Sequence, residues 1–101
     1  PMAAWHPLPN SVCAPAGFRA AGVAAGIKPS GDRDVMLLVS DVPAAAAAVF
    51  TTNLFCSAPV RVSREHLAGG VARAVAVNSG CSNACTGEQG LVNARRMAEI
   101  T

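Results

Sequence analysis

The chain has 101 residues, which is room for one domain of ordinary size and not for a second. Its 51% hydrophobic content with 14% charged residues argues against disorder, and the scattered basic residues behind its net charge of +2 lack the clustering of a nucleic-acid-binding surface. The longest apolar stretch, Val42 to Phe50, is about half the length that a bilayer requires and contains Pro43, so no membrane span is predicted.

The first third of the chain is predicted to be extended. Residues 1–13 should form an irregular lead-in, because they carry three prolines. From Ala14 to Lys28 the glycines interrupt any helical period, which favours a strand with bends. A turn is expected at residues 30–32. The apolar run from Val35 to Val39 has the length and the polar borders of a strand buried on both faces.

The middle of the chain combines conflicting signals. Ala44 to Ala48 has high helix propensity, yet the residues that follow favour strands, and a strand is expected from about Ala47 to Thr52. Ser63 is predicted to cap a short helical turn, which Gly69 and Gly70 would end.

The last third is predicted to run from a strand through a polar loop into a helix. Valine alternates with alanine from Arg73 to Val77, which indicates a strand. Thr86 and Gln89 have the spacing of a capping box, and apolar residues then recur at helical intervals. Because ligands gather where loops leave the carboxyl ends of strands in open α/β sheets, the loop from Asn78 to Gly87 is the candidate site.

Two interpretations of this loop remain open. Its backbone N–H groups, lying ahead of a helix, could bind a carboxylate or a developing oxyanion. Alternatively, its small polar side chains could satisfy one another and the backbone in a tight turn, which such residues do most often. The spacing favours the second interpretation, which involves Asn78, Ser79, Asn83 and Thr86.

The four cysteines could indicate a metal site or disulfides. Cys81 and Cys85 are four residues apart, but a structural zinc site normally brings two closely spaced pairs of ligands. The other candidate ligands are isolated in the sequence: Cys13, Cys56, His6 and His66. Small buried thiols are therefore the favoured interpretation and no metal is expected. His66 has polar neighbours and is expected on the surface.

The composition and the two ends lead us to expect an incomplete unit. The chain starts at Pro1, and its last predicted helix, residues 88–101, has no Gly, Asn or Pro to end it. Ordering each residue costs roughly 1.5 kcal/mol, and an interior rich in alanine offsets this poorly. The segment should therefore be marginal or aggregating unless more protein packs against it.

Five motifs occur in order between Ala14 and about Met97. They are APAGFRAAG at residues 14–22, GIK at 26–28, AVFTTN at 48–53, APV at 58–60, and VNSG with NACTG at 77–87. Together they closely resemble the ornithine acetyltransferase family, also called bifunctional glutamate N-acetyltransferase. Cys81 and Ser82 depart from the family pattern, which commonly has Asn and Ala there, and a thiol cannot repeat the hydrogen bonds of an amide.

The resemblance implies an α/β fold in which a mixed sheet packs with helices, namely the N-terminal part of the ornithine acetyltransferase (DmpA/OAT-like) fold. Residues 14–101 would be the N-terminal portion of an acetyltransferase α-chain, an incomplete domain. The implied enzyme is a cytoplasmic acyltransferase of arginine biosynthesis that moves an acetyl group from N-acetylornithine to glutamate. It needs no cofactor, although some members accept acetyl-CoA as an additional donor. The implied partners are the rest of the α-chain and the β-chain of the same precursor, in an α/β hetero-oligomer.

The resemblance also implies a mechanism whose catalytic parts are missing from these residues. In the family, the precursor cleaves itself before a threonine, which then carries the acetyl group and uses its own α-amino group as base. The threonines of this chain match neither that position nor the family's Thr-Gly oxyanion pair: Thr51, Thr52, Thr86 and Thr101. No catalytic residue is therefore assigned, and the binding residues stay unknown. The alternative function is a small-anion binding or interaction module without catalysis.

Overall fold

The computed structural model describes residues 4–101, which form a three-stranded sheet and two helices. The strands are β1 (Phe18–Val23), β2 (Val35–Ala45) and β3 (Val71–Asn78), and the helices are α1 (Ala58–His66) and α2 (Gly87–Glu99). A single 3-10 turn, Ser11–Cys13, precedes the sheet. The α/β class is confirmed, and within residues 4–101 the strands are all antiparallel.

The central strand β2 pairs with both of the others. Val35, its first residue, lies opposite Val23 at the end of β1 and opposite Asn78 at the end of β3. The loop between β1 and β2 and the loop after β3 therefore leave the sheet at the same end. The strands expected near residues 14–28, 35–39 and 73–77 are confirmed with adjusted bounds.

Strand β2 continues into the alanine-rich stretch through an irregularity. Its pairing with β3 breaks after Val39, so that residues 40–43 bulge out before pairing resumes. Pro43 has no N–H to donate, and a bulge is one of the few places where a sheet tolerates proline. The Arg73 guanidinium donates to the carbonyl of Asp41 at 3.0 Å, which satisfies a group that the ladder leaves free.

The strand predicted from about Ala47 to Thr52 is wrong. Strand β2 ends at Ala45, and residues 46–53 have no regular structure. Ala45 pairs with Val71, the first residue of β3, so within residues 4–101 no strand lies opposite the residues that follow Ala45. Residues with high strand propensity do not form a strand without a neighbouring strand, because the backbone hydrogen bonds that stabilise a strand are made to its neighbour.

The first helix begins earlier than the sequence predicted. Ser57 occupies the N-cap position of α1 and Pro59 lies in its first turn, where a missing N–H costs no helical bond. Ser63 is therefore within the helix and does not cap it. The predicted end is confirmed: Gly70, at φ +69°, donates to the Leu67 carbonyl at 2.9 Å and turns the chain into β3.

The only buried apolar side chains of the described residues lie on α1. They are Ala58 and Val62, and a salt bridge of 3.1 Å between Glu65 and Arg95 joins α1 to α2. The sheet carries apolar residues on both faces, and they stay half-exposed or exposed; Val75 is 50% exposed. The expectation that residues 35–39 are buried on both faces is met only in part, because little of the described chain covers the sheet.

The exposed area is large for a chain of this mass. The accessible surface is 7880 Å² for 10.2 kDa, whereas a compact monomer of that mass exposes about 5300 Å². The radius of gyration is 15.7 Å, against about 13 Å for a compact domain of 100 residues. These values fit the expected thin interior and a unit that packs against further protein. Neither helix of the described part is long and apolar enough to cross a membrane.

We expect residues 1–101, expressed alone, to bind a hydrophobic dye and to self-associate, because both sheet faces expose apolar side chains. Dye fluorescence and light scattering would measure this. Replacing Val75 and Val77 by lysine should lower both signals, since these side chains are 50% and 43% exposed. A dye-silent monomer with a cooperative melting transition would contradict the expectation.

Candidate functional site

The candidate loop, Asn78 to Gly87, connects the end of β3 to the start of α2. Three of its residues have positive φ: Gly80 at +104°, Cys85 at +56° and Gly87 at +62°. Glycine adopts such angles readily, whereas a positive φ is uncommon for a residue with a side chain such as cysteine. The loop therefore has a defined turn at each end, and its shape depends on contacts with its neighbours.

The polar side chains of the loop bond to one another and to the backbone. The Asn78 amide donates to the Cys81 carbonyl at 3.0 Å, and the Asn83 amide donates to the Gly90 carbonyl in α2 at 2.8 Å. The Thr86 hydroxyl donates to the side-chain oxygen of Asn83. These bonds confirm the second interpretation of the loop for Asn78, Asn83 and Thr86, whose polar groups build a tight turn.

The capping box predicted at the start of α2 is wrong in its bonding. Thr86 is at the N-cap position, but its side chain makes no hydrogen bond to a backbone N–H of the helix. Gln89 donates to Asn93 at 2.9 Å and does not reach back to Thr86. The helix starts at the predicted place, but Asn83 takes the hydroxyl that a capping box would use.

Gly90 brings the loop and the helix into direct contact. It is buried in the first turns of α2, and a Cβ built there would overlap the Thr86 hydroxyl and lie 2.6 Å from the Asn83 side-chain oxygen. No other residue fits at this place without moving the loop. The sequence shows Gly90 only as a helical residue of poor propensity, which is a weak signal of close packing.

The other end of the loop rests on the β1–β2 connection. The Ser79 N–H donates to the Asp34 carbonyl at 2.8 Å. A Cβ at Gly80 would lie 2.8 Å from Lys28 Cγ and 3.3 Å from Ile27 Cγ2. Residues 79–80 therefore pack against the backbone and side chains of residues 27–34.

Asp34 holds that connection together, and sequence reasoning assigned it no role. It is 3% exposed, and its carboxylate accepts the N–H groups of Ala25 at 2.6 Å, Ile27 at 2.6 Å and Lys28 at 3.0 Å. These bonds hold the pKa of the Asp34 carboxyl below its usual value, and the bond from Ala25 has the largest effect. Burial of the carboxyl acts in the opposite direction. An acidic residue directly before a predicted strand was the only signal in the sequence.

A cleft lies between the starts of the two helices. Its volume is about 360 Å³. The lining residues come from both helix starts: Cys56, Ala58, Arg61, Cys85, Thr86, Gly87, Glu88 and Leu91. Helix N-termini attract negative charge. The positive charge of Arg61 is not used in a salt bridge within residues 4–101, whereas the negative charge of Glu88 repels anions. The cleft has the charge to accept a small carboxylate, and no pattern in the sequence indicated that Arg61 would line it.

The cysteines are not gathered into one centre. Cys56 and Cys85 line this cleft, and all four cysteines are free thiols. Cys81 and Cys85 are exposed and Cys13 and Cys56 are only half-buried, so the expectation of small buried thiols is wrong. Within the described residues no three His, Cys, Asp or Glu side chains lie close enough to hold a metal ion. His66 is exposed at the end of α1, as predicted.

Comparisons with known proteins agree with the motifs. The sequence model of the ArgJ family matches residues 19–101. The arginine biosynthesis bifunctional proteins ArgJ of Thermosynechococcus vestitus and Thermobifida fusca are 54% and 57% identical over 90 residues, which is 88% of this chain but 22% and 24% of those proteins. The crystal structure of ornithine acetyltransferase with ornithine from Mycobacterium tuberculosis has a TM-score of 0.81 at 52% identity, over 84% of this chain and 45% of that one.

Substituting Gly90 by alanine should destabilise the loop and α2, because the methyl group meets Thr86 and Asn83. We expect a loss of about 1–3 kcal/mol in the free energy of unfolding, as for other overpacked sites. Urea denaturation of the complete protein would measure it. Gly69→Ala is the matched control, since a Cβ there meets no atom within 4 Å. Equal effects of the two substitutions would contradict the packing argument.

Substituting Asn83 by aspartate should cost about 1–3 kcal/mol of unfolding free energy, because a carboxylate cannot donate to the Gly90 carbonyl and repels it. Asn93→Asp is the control: Asn93 accepts a hydrogen bond from Gln89 through an oxygen that aspartate retains. Thermal melting of both variants at neutral pH distinguishes them. An Asn83 variant as stable as the control would show that the bond to Gly90 contributes little.

Proposed function

This chain belongs to the ArgJ family, and on that premise we propose that the complete protein transfers an acetyl group from N-acetylornithine to glutamate in arginine biosynthesis. The high identity to proteins named arginine biosynthesis bifunctional protein supports the proposal, as does the likeness to an ornithine acetyltransferase. The chain spans less than a quarter of the length of these curated relatives. The activity therefore belongs to a longer polypeptide.

The proposed reaction proceeds in two acyl transfers. A threonine hydroxyl outside residues 1–101 attacks the acetyl carbonyl carbon of N-acetylornithine, the amide bond breaks, and ornithine leaves with the proton as a free amine. The amine of glutamate then attacks the acetyl-threonine ester and releases the hydroxyl. Both steps are substitutions at a carbonyl carbon, so no redox or metal cofactor is proposed, and acetyl-CoA is a possible second donor.

Three of the four threonine hydroxyls of this segment are engaged in local hydrogen bonds, which supports a nucleophile elsewhere. Thr86 donates to Asn83, and Thr101 donates to the Met97 carbonyl at 2.7 Å. Thr51 accepts the N–H of Asn53 at 3.1 Å within a turn. Each of these hydroxyls takes part in local structure.

The segment is proposed to act as scaffold. Its sheet would be covered by the rest of the α-chain and by the β-chain of the same precursor, formed by autocatalytic cleavage, in a cytoplasmic α/β hetero-oligomer. The half-exposed apolar sheet supports this role, since such faces are usually covered in a complete protein. The loop from Asn78 to Gly87 would form part of the wall around an active site completed by other residues.

The second candidate function is a small-anion binding module without catalysis. The cleft between the starts of α1 and α2 favours it, because two helix N-termini and the Arg61 guanidinium attract a carboxylate. This candidate predicts binding of glutamate without turnover. Arg61→Gln would then abolish binding.

The test uses the purified complete protein with N-acetylornithine and glutamate. We expect ornithine and N-acetylglutamate as products, parallel lines in double-reciprocal plots, and one acetyl group on a threonine by mass spectrometry. Residues 1–101 alone should be inactive. Activity in that isolated segment would overturn the placement of catalysis elsewhere, and glutamate binding without turnover by the complete protein would favour the anion-binding module.

A further inference from the structure

We propose that Asp34 is a positioning residue for the proposed acetyl transfer, acting through the loop from Asn78 to Gly87. This inference rests on the proposed function, because it assumes that this loop borders the active site. Asp34 itself touches no reacting atom. Its effect passes through residues 25–28 to the start of the loop.

The first step of the argument is the carboxylate. One oxygen of Asp34 accepts the N–H of Ala25, and the other accepts those of Ile27 and Lys28, at 2.6 to 3.0 Å. A carboxylate is the only side chain of this size that accepts at both oxygens without donating at either. The three bonds thus hold the backbone of residues 25–28 against Asp34, the residue that directly precedes β2.

The second step is the contact between the two loops. Asp34 also accepts, through its own carbonyl, the N–H of Ser79 at 2.8 Å. Gly80 lies so close to Ile27 and Lys28 that even one methyl group would not fit without a shift. Residues 25–28 therefore serve as the support for residues 79–80, and Asp34 bonds to both sides of the contact.

The third step is the path from this contact to the cleft. The loop is held at two points: at Ser79 and Gly80 by the Asp34 cluster, and at Asn83 by the Gly90 carbonyl of α2. Between these two points lie Cys81 and Ser82, and the Asn78 amide at the end of β3 donates to the Cys81 carbonyl at 3.0 Å. Loss of the first point would let the loop move relative to the sheet, and misplacement by about 1 Å can lower a rate by about 100-fold.

The test compares Asp34→Asn with Asp32→Asn in the complete protein. An amide can accept at only one of the two oxygen positions, so in the Asp34 variant at least one backbone N–H faces another donor. Asp32 lies in the same connection, but its carboxylate is exposed. Within residues 4–101 that carboxylate accepts one hydrogen bond, from the Ser30 hydroxyl at 2.7 Å. We expect kcat to fall about 10- to 100-fold in Asp34→Asn, with a smaller change in KM, and to stay at the wild-type value in Asp32→Asn.

Hydrogen–deuterium exchange separates positioning from general destabilisation. In Asp34→Asn, we expect faster exchange at residues 25–28 and 79–87, with α1 unchanged. Two results would overturn the proposal: exchange that is accelerated equally in α1, or faster exchange at residues 79–87 with an unchanged kcat. Wild-type protein without acetyl transfer would instead overturn the proposed function, and exchange at residues 79–87 would still decide whether Asp34 holds the loop.

A second pair of variants keeps the test valid if Asp34→Asn does not fold. Gly80→Ala leaves the carboxylate bonds in place and pushes the two loops apart at Ile27 and Lys28. Gly31→Ala is its control, since Gly31 also has positive φ, +77°, but a Cβ there meets nothing within 4 Å. The proposal expects a lower kcat and faster exchange at residues 79–87 only for Gly80→Ala, and equal effects of the two variants would overturn it.

Discussion

The carboxylate of Asp34, bonded to three backbone N–H groups, is the interaction on which the end of the sheet that carries the candidate loop depends. The connection between β1 and β2 is too long for a tight hairpin turn, and without a central acceptor its N–H groups would face other backbone atoms or water. Asp34 gathers three of them on one side chain. The same residue accepts the Ser79 N–H, so the two loops at this end of the sheet share one anchor.

The described part of the chain buries very few apolar side chains. Small side chains such as alanine bury little apolar area, and Ala58 and Val62 are the only buried hydrophobic residues in the part that the structure describes. The apolar residues of the sheet face outward on both sides. Such a surface is usually covered in a complete protein, which agrees with the small share of its relatives' length that the chain spans.

The polar side chains of the loop maintain its conformation. Asn78, Asn83 and Thr86 use their polar groups on one another and on the backbone, so these groups have little left for a ligand. The cleft at the helix starts, which the last residues of the same loop help to line, has the better charge for an anion, because Arg61 and two helix N-termini meet there. The polar groups of the loop thus serve its structure, whereas the cleft between the helix starts stays open.

The sequence by itself determined the family, the α/β class, the strands near residues 35–39 and 73–77, and the start of α2. These follow from local signals: ordered motifs, apolar runs and a threonine ahead of a helical period. Tertiary structure decided the rest. Residues 47–52 have strand propensity but no partner strand, Ser63 lies inside α1 because Ser57 and Pro59 start the helix earlier, and Asp34 matters only because folding brings the N–H groups of residues 25–28 to it. A hydrogen bond between distant residues depends on where the chain places them, and no local pattern records that placement.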